Sequence, residues 1–295
     1  MDNERVMNTS TGLFWLSSYP KSGNTWFRIF LANLLTLSKE NNPIYLNHVD
    51  HLINDHISTD RTWVNEACGF DTTGITDDEL DALMPGLYTT YNAQQTEITY
   101  HKTHRAYSYV GEYQPLIPMD GCLGVIYFIR NPLDVALSLA NHFSFTVDEA
   151  ITMMGDRTLA LHYFPLRQLL FSWSMHVDSW VQLKAKNLFL LRYEDMVIKP
   201  LESFTKAVHF LKLNTSLHLI EQALSYSSFD KLKQFEDNIG FQDKPPTVKH
   251  FFRKGIVGDW QTSLTESQIQ RIIQDHGEVM RKFGYLNKHN EPTVG

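Results

Sequence analysis

Three nearly unbroken apolar runs, at residues 13–17, 125–129 and 188–191, constrain this chain most. None alternates apolar with polar residues, so each predicts a strand buried on both faces of a parallel sheet. Each also leads into a helix-like stretch. After the first, residues 26–37 carry Arg28 as their only charge, which predicts a helix buried nearly all round. After the second, Asn131 and Pro132 form a helix start with proline at an early position. After the third, Glu194 and Asp195 precede a helix expected over residues 200–211. Strands alternating with helices predict an α/β fold: three layers, α/β/α, around a central, mostly parallel sheet. One domain over residues 1–295, with its core at 12–285, is expected. Residues 41–96 and 143–165 are weakly patterned and predict loops and short helices over a site. A loop is expected at 242–247 and a terminal helix at 265–283.

Composition removes several classes. With 26 basic and 33 acidic side chains the net charge is −7, which argues against a nucleic-acid coat. No run approaches the ~18 apolar residues of a membrane span. The first ten residues are acidic and polar, unlike a secretory signal, so a cytoplasmic address is expected. Cys68 and Cys122 are the only cysteines, and neither has a CxxC or histidine-rich neighbour. Neither a disulfide framework nor a metal site is expected.

The first strand runs into Tyr19, Pro20, Lys21, Ser22, Gly23, Asn24, Thr25 and Trp26, where the helix begins. Strand, tight turn and helix N-terminus in that order make a P-loop-like anion site. Unpaired backbone N–H groups and the helix dipole favour negative charge there, and Gly23 lets a phosphate approach the backbone. Lys21 adds a full positive charge; Ser22 and Thr25 add hydroxyls. It is not a Walker A loop, because Lys21 precedes the only glycine of the turn. Taken alone, it reads equally well as a tight strand–helix turn with a surface lysine.

Three later segments decide between those readings. YPKSGNTW at the first strand end is succeeded by IYFIRNPLDVALS at the second, SSFDKL near residue 230 and RKGIVGDW near residue 255. This ordered set, spanning residues 14–260, resembles the sulfotransferase family, especially the cytosolic type that uses 3′-phosphoadenosine 5′-phosphosulfate (PAPS). The resemblance implies that Lys21, Ser22, Gly23, Asn24, Thr25 and Trp26 hold the 5′-phosphosulfate, with Trp26 stacked on adenine. It assigns the 3′-phosphate to Arg130, Ser138, Arg253, Lys254 and Gly255. Tyr193, Ser227, Ser228 and Phe229 fall at family positions around the adenosine. Lys102, Thr103 and His104 match the family's Lys-Thr-His.

The implied reaction is in-line transfer of a sulfuryl group from PAPS to an acceptor, leaving adenosine 3′,5′-bisphosphate (PAP). His104 would take the acceptor's proton, and Lys21 and Lys102 would stabilise the bridging oxygen; no metal is required. His101 is the rival base, but three residues along an extended chain it faces the other way. The chain departs from the family at Gln261, where a lysine is common. Gln261, Glu266 and Gln270 also differ from the KxxxTVxxxE dimerisation segment, so the oligomeric state stays open.

The aromatic residues Phe143, Phe145, Phe164, Phe241, Phe251, Phe252, Tyr88 and Tyr91 predict an aromatic-lined acceptor pocket. A hydroxylated small metabolite or natural product is the first expectation, an amine the second, a protein tyrosine less so. Two rivals remain. One is a P-loop-like nucleotide kinase, weakened by the missing Walker A lysine; the other is a nucleotide-binding module without chemistry.

Overall fold

Strand β1 (Gly12–Ser18) lies inside a four-stranded parallel sheet, between β2 (Ile98–Thr103) and the strand at Gly124–Ile129, with the strand at Leu188–Arg192 outermost beyond the latter. The computed structural model describes residues 11–40, 53, 56–162, 165–183, 187–241 and 243–295. The period-2 geometry of β1 sends its side chains to two separate cores. Leu13 and Trp15 join Val125, Tyr127 and Ile129 on one face; Phe14 and Leu16 join Ile126 and Phe128 on the other.

Helix α1 (Asn24–Glu40) covers the second face through Phe27, Phe30 and Leu31, beside Phe204 and Val208 of the helix at Pro200–Phe210. Its one mid-helix charge, Arg28, is buried and donates to the Ile53 carbonyl at 3.2 Å. The helices at Pro132–Phe143, Trp173–Val181 and Glu266–Lys282 cover the first face. The expected three-layer α/β/α arrangement is therefore present. Among the described residues no helix is long and apolar enough to cross a membrane.

The Leu188–Arg192 strand differs from the expectation. Leu188, Phe189 and Leu190 are only half-buried, because this strand is a sheet edge rather than an interior one. Of the weakly patterned 41–96 stretch, the part from residue 56 onward is largely helical, with helices at His56–Thr59, Arg61–Cys68 and Asp77–Ala93. Residues 41–52, 54–55, Phe164 and Gln242 lie outside the described residues.

Sheet register positions the site. Ser17 is level with Thr103, Ser18 with Phe128, and Ile129 with Arg192. Parallel strands ending at nearly the same height deliver their succeeding residues to a single carboxyl edge, the usual ligand-binding edge of such sheets. Here those residues are the 19–23 turn, His104, Arg130 and Tyr193.

Candidate active site

The turn after β1 is built from backbone strain that its sequence accommodates. Lys21 has φ +68° and Gly23 φ +98°. A Cβ on Gly23 would stand 2.8 Å from the Tyr193 ring, so only glycine leaves the turn and that ring in place. Asn24 locks the turn back onto its strand, donating to the Leu16 carbonyl at 2.9 Å and to the Ser18 hydroxyl at 3.3 Å.

His104 comes just after β2 and lines the cavity, whereas His101 does not. His101 is buried, 3.2 Å from the Tyr91 hydroxyl, and burial with neighbouring His56 pushes its pKa down to about 3. His104 Nδ1 lies 2.8 Å from the Ser18 carbonyl and 3.2 Å from the Ser18 hydroxyl. A carbonyl can only accept, so Nδ1 carries the proton and Nε2 of the neutral ring carries the lone pair. The backbone at this point is fixed as well: His176 Nε2 donates to the His104 carbonyl at 3.0 Å, and His176 Nδ1 accepts from the Tyr127 hydroxyl at 2.9 Å. Burial holds His176 down to about 4, keeping it neutral for both bonds.

Arg130 is buried just past the Gly124–Ile129 strand, stacked 4.1 Å from the Tyr193 ring centroid. It donates to the Lys21 carbonyl at 3.1 Å and the Ile256 carbonyl at 3.5 Å, while its Nε has no partner among the described residues. Ser138, on the next helix, lines the same cavity. From the other side come Arg253 and Lys254, joined to Asp259 at 2.6 and 2.5 Å. Burial raises the Asp259 pKa, but hydrogen bonds from Lys254 and Arg253 together with their charges outweigh it and hold the carboxyl low. Asp134 anchors that loop to the helix start by accepting from the Gly258 and Trp260 amides at 2.8 and 3.0 Å. Gly255, at φ +64°, has the Phe229 ring where a Cβ would stand.

These groups converge on one cavity of about 1240 Å³. Lys21, Gly23, Asn24, Thr25, Trp26, Lys102, His104, Arg130, Ser138, Tyr193, Phe229, Arg253, Lys254 and Gly255 all line it. Two of the expected residues do not. Ser22 is buried within the turn, and its hydroxyl has no partner among the described residues. Ser227 is also buried, its hydroxyl donating to the Ala223 carbonyl at 2.8 Å; its own carbonyl accepts from the Trp26 indole at 2.8 Å. The adjacent Ser228 lines the cavity instead.

The aromatic acceptor pocket is found only in part. Of the residues expected there, Phe251 and Phe252 line the cavity. Tyr88 and Phe241 are core, and Phe143 and Phe145 line a separate groove. Two imidazoles that sequence reasoning overlooked, His56 and His142, stand on the cavity wall. His142 comes one helical turn after Ser138, a spacing that could have revealed it.

Lysines and arginines outnumber carboxylates on the cavity wall: Lys21, Lys102, Arg130, Lys244, Arg253 and Lys254 face Glu221 and Asp243. In a chain of net charge −7 this makes a strongly local anion site. Burial and the Arg130 charge, helped by Lys102 and opposed by Asp243 and Glu236, push the Lys21 pKa down to about 7. Such a lysine is primed to regain its proton when an anion arrives.

The sulfotransferase domain family matches residues 12–284. Sulfotransferase 1B1 of Canis lupus familiaris is 26% identical over 270 residues, covering 87% of this chain and 79% of the relative. Cytosolic sulfotransferase 17 of Arabidopsis thaliana is 25% identical over 293 residues, covering 93% and 76% respectively. In fold, the chain is similar to the crystal structure of retinol dehydratase in a complex with retinol and PAP. That likeness has a TM-score of 0.62 at 20% identity and covers 91% of this chain and 81% of that one. With nearly its whole length inside that family match, the chain belongs to the sulfotransferase family.

Proposed function

We propose that this chain transfers the sulfuryl group of PAPS to a hydroxyl of a small-molecule acceptor, releasing PAP. One observation carries the reading: the bond from His104 Nδ1–H to the Ser18 carbonyl leaves Nε2 as the basic nitrogen of a residue on the cavity wall it shares with Lys21 and Lys102. The residues present fit the donor. Lys21, Lys102, Arg130, Arg253 and Lys254 give the wall the cations a doubly anionic nucleotide needs, and the Nε of buried Arg130, without a partner among the described residues, is placed to donate to an anion.

Lys21, the 23–26 helix start and Lys102 would face the 5′-phosphosulfate; Arg130, Ser138, Arg253 and Lys254 would face the 3′-phosphate. Trp26, Tyr193, Ser228 and Phe229 would enclose the base. The donor supplies an activated sulfuryl group whose sulfur–oxygen bond to phosphate breaks as the bond to the acceptor oxygen forms. His104 Nε2 takes the acceptor's proton, a contribution of roughly 10²- to 10⁴-fold. Lys21 and Lys102 neutralise the charge that develops on the leaving phosphate. Residues 12–285 would act as one sulfotransferase domain. Incubation with ³⁵S-labelled PAPS and a panel of phenols, alcohols and amines tests the reading. Label is expected in a hydroxyl acceptor, and none in any acceptor would overturn it.

A further inference from the structure

Lys21 is gripped from two sides, both times by a residue outside the four motifs. Its ammonium lies 3.9 Å from the Phe251 ring centroid and donates to His142 Nδ1 at 3.5 Å. An ammonium has no lone pair, so the imidazole nitrogen must be the acceptor. The imidazole is itself confined, edge-on to Phe143 with centroids 4.9 Å apart and to Phe251 at 5.9 Å.

We propose that His142 is a positioning residue for Lys21, its Nδ1 lone pair favouring the charged form of the ammonium and directing it into the cavity where the nucleotide's phosphate would bind. The catalytic meaning of this contact rests on the proposed sulfuryl transfer; the contact itself does not. The charges around Lys21 pull both ways. Arg130 and Lys102, at the ends of neighbouring strands, repel a charged Lys21, whereas Asp243 and Glu236 attract it. Burial, with Lys21 and Lys102 nearby, holds the His142 pKa down to about 3, so the ring stays a neutral acceptor across the physiological range. A histidine in ordinary solvent would compete for the proton; this one cannot.

The test is an NMR titration of ligand-free protein carrying labelled lysine, with the Lys21 signal assigned by its loss in Lys21→Arg. In His142→Leu the Lys21 midpoint is expected to fall by about one pH unit, the size of a lost hydrogen bond to a charged group. His142→Gln, which keeps an acceptor, is expected to restore most of it. His142→Met serves as a second variant without an imidazole should His142→Leu not fold. In PAPS turnover, the alkaline limb of kcat/KM is expected to move downward in pH with the same variants. A Lys21 midpoint unchanged in both His142→Leu and His142→Met overturns the proposal. A shifted midpoint in a protein that transfers no sulfate to any acceptor supports the His142 contact and sinks the transfer reaction instead.

Discussion

The two halves of the cavity are held by different means. On the sheet edge, Lys21, His104, Arg130 and Tyr193 stand where parallel register puts them, and backbone carbonyls at Ser18 and Lys21 fix the polar atoms of His104 and Arg130. Across from them, residues 251–260 form no strand, and three buried carboxylates hold them. Glu236 accepts from the Phe251 and Phe252 amides, Asp134 from those of Gly258 and Trp260, and Asp259 clasps Arg253 and Lys254. Topology thus fixes the chemical half, and side-chain charge fixes the covering half. Breaking the first should damage turnover or ligand grip with little change in order; breaking the second should loosen both binding and local packing.

The largest effect belongs to His104. His104→Ala is expected to lower kcat by about 10²- to 10⁴-fold while PAP affinity, measured by calorimetry, stays within about threefold. Loss of PAP binding to the same degree as turnover would mean that the imidazole shapes the pocket rather than moving a proton.

Arg130→Ala comes next. Charge-assisted hydrogen bonds to a buried guanidinium contribute about 1.5–3 kcal/mol, so PAP binding should weaken roughly 10- to 100-fold. Arg130→Lys keeps the charge without the fork and should recover only part of the loss. Unchanged PAP affinity in Arg130→Ala removes it from the 3′-phosphate.

Lys21 gives the sheet-edge half a pH signature. Its pKa of about 7 without ligand must rise when a phosphate binds, so binding takes up a proton above pH 7. PAP affinity should be full below pH 7 and fall by up to about tenfold per unit above it, until the pKa of the bound state is passed. Calorimetry in buffers of different ionisation enthalpy counts that proton directly, and a flat affinity from pH 6 to 9 contradicts the reading.

On the covering half, Glu236→Gln keeps the shape but removes the charge that two amides share. A buried acceptor weakened in this way costs about 1–3 kcal/mol. A lower melting temperature and several-fold weaker PAP binding are expected, with kcat at saturating donor nearly unchanged. A fall in kcat matching that in His104→Ala would show the two halves to be one mechanical unit.

This division also explains how much could be read from the sequence. The sheet-edge half is legible because strand ends are marked twice, by apolar runs and by the residues that terminate them. Leu16 running through the turn to Trp26, and Ile129 into Arg130, announce both strand and site. The helices within 56–96 and 143–165 are placed only loosely by residue pattern, although Thr76 with Glu79 and Thr146 with Glu149 form reciprocal capping boxes that mark two of their starts. Asp259 and Glu236 are illegible for a different reason. Their partners are cations and amides brought near by the fold, and nothing in residue spacing separates a clasping carboxylate from a solvated one. The acceptor side fails similarly, since aromatic residues at 88, 143, 145 and 241 give no sign of whether they face a core, a groove or the cavity.

The smallest effect separates two adjacent serines and tests how finely a family motif can be carried over. Both serines match the motif, yet Ser227 is buried, its hydroxyl donates to a helix carbonyl, and only its backbone carbonyl touches the site, through the Trp26 indole. Ser228, the next residue, faces the cavity. Ser227→Ala keeps that carbonyl, so PAP affinity should change by less than about twofold, while stability falls by about 1 kcal/mol for the lost internal hydrogen bond. Ser228→Ala should do the reverse, weakening PAP severalfold with no change in melting temperature. The opposite pattern would mean that the end of the helix at Leu217–Tyr226 turns when nucleotide binds, and that the covering half adjusts to its ligand where the sheet edge does not.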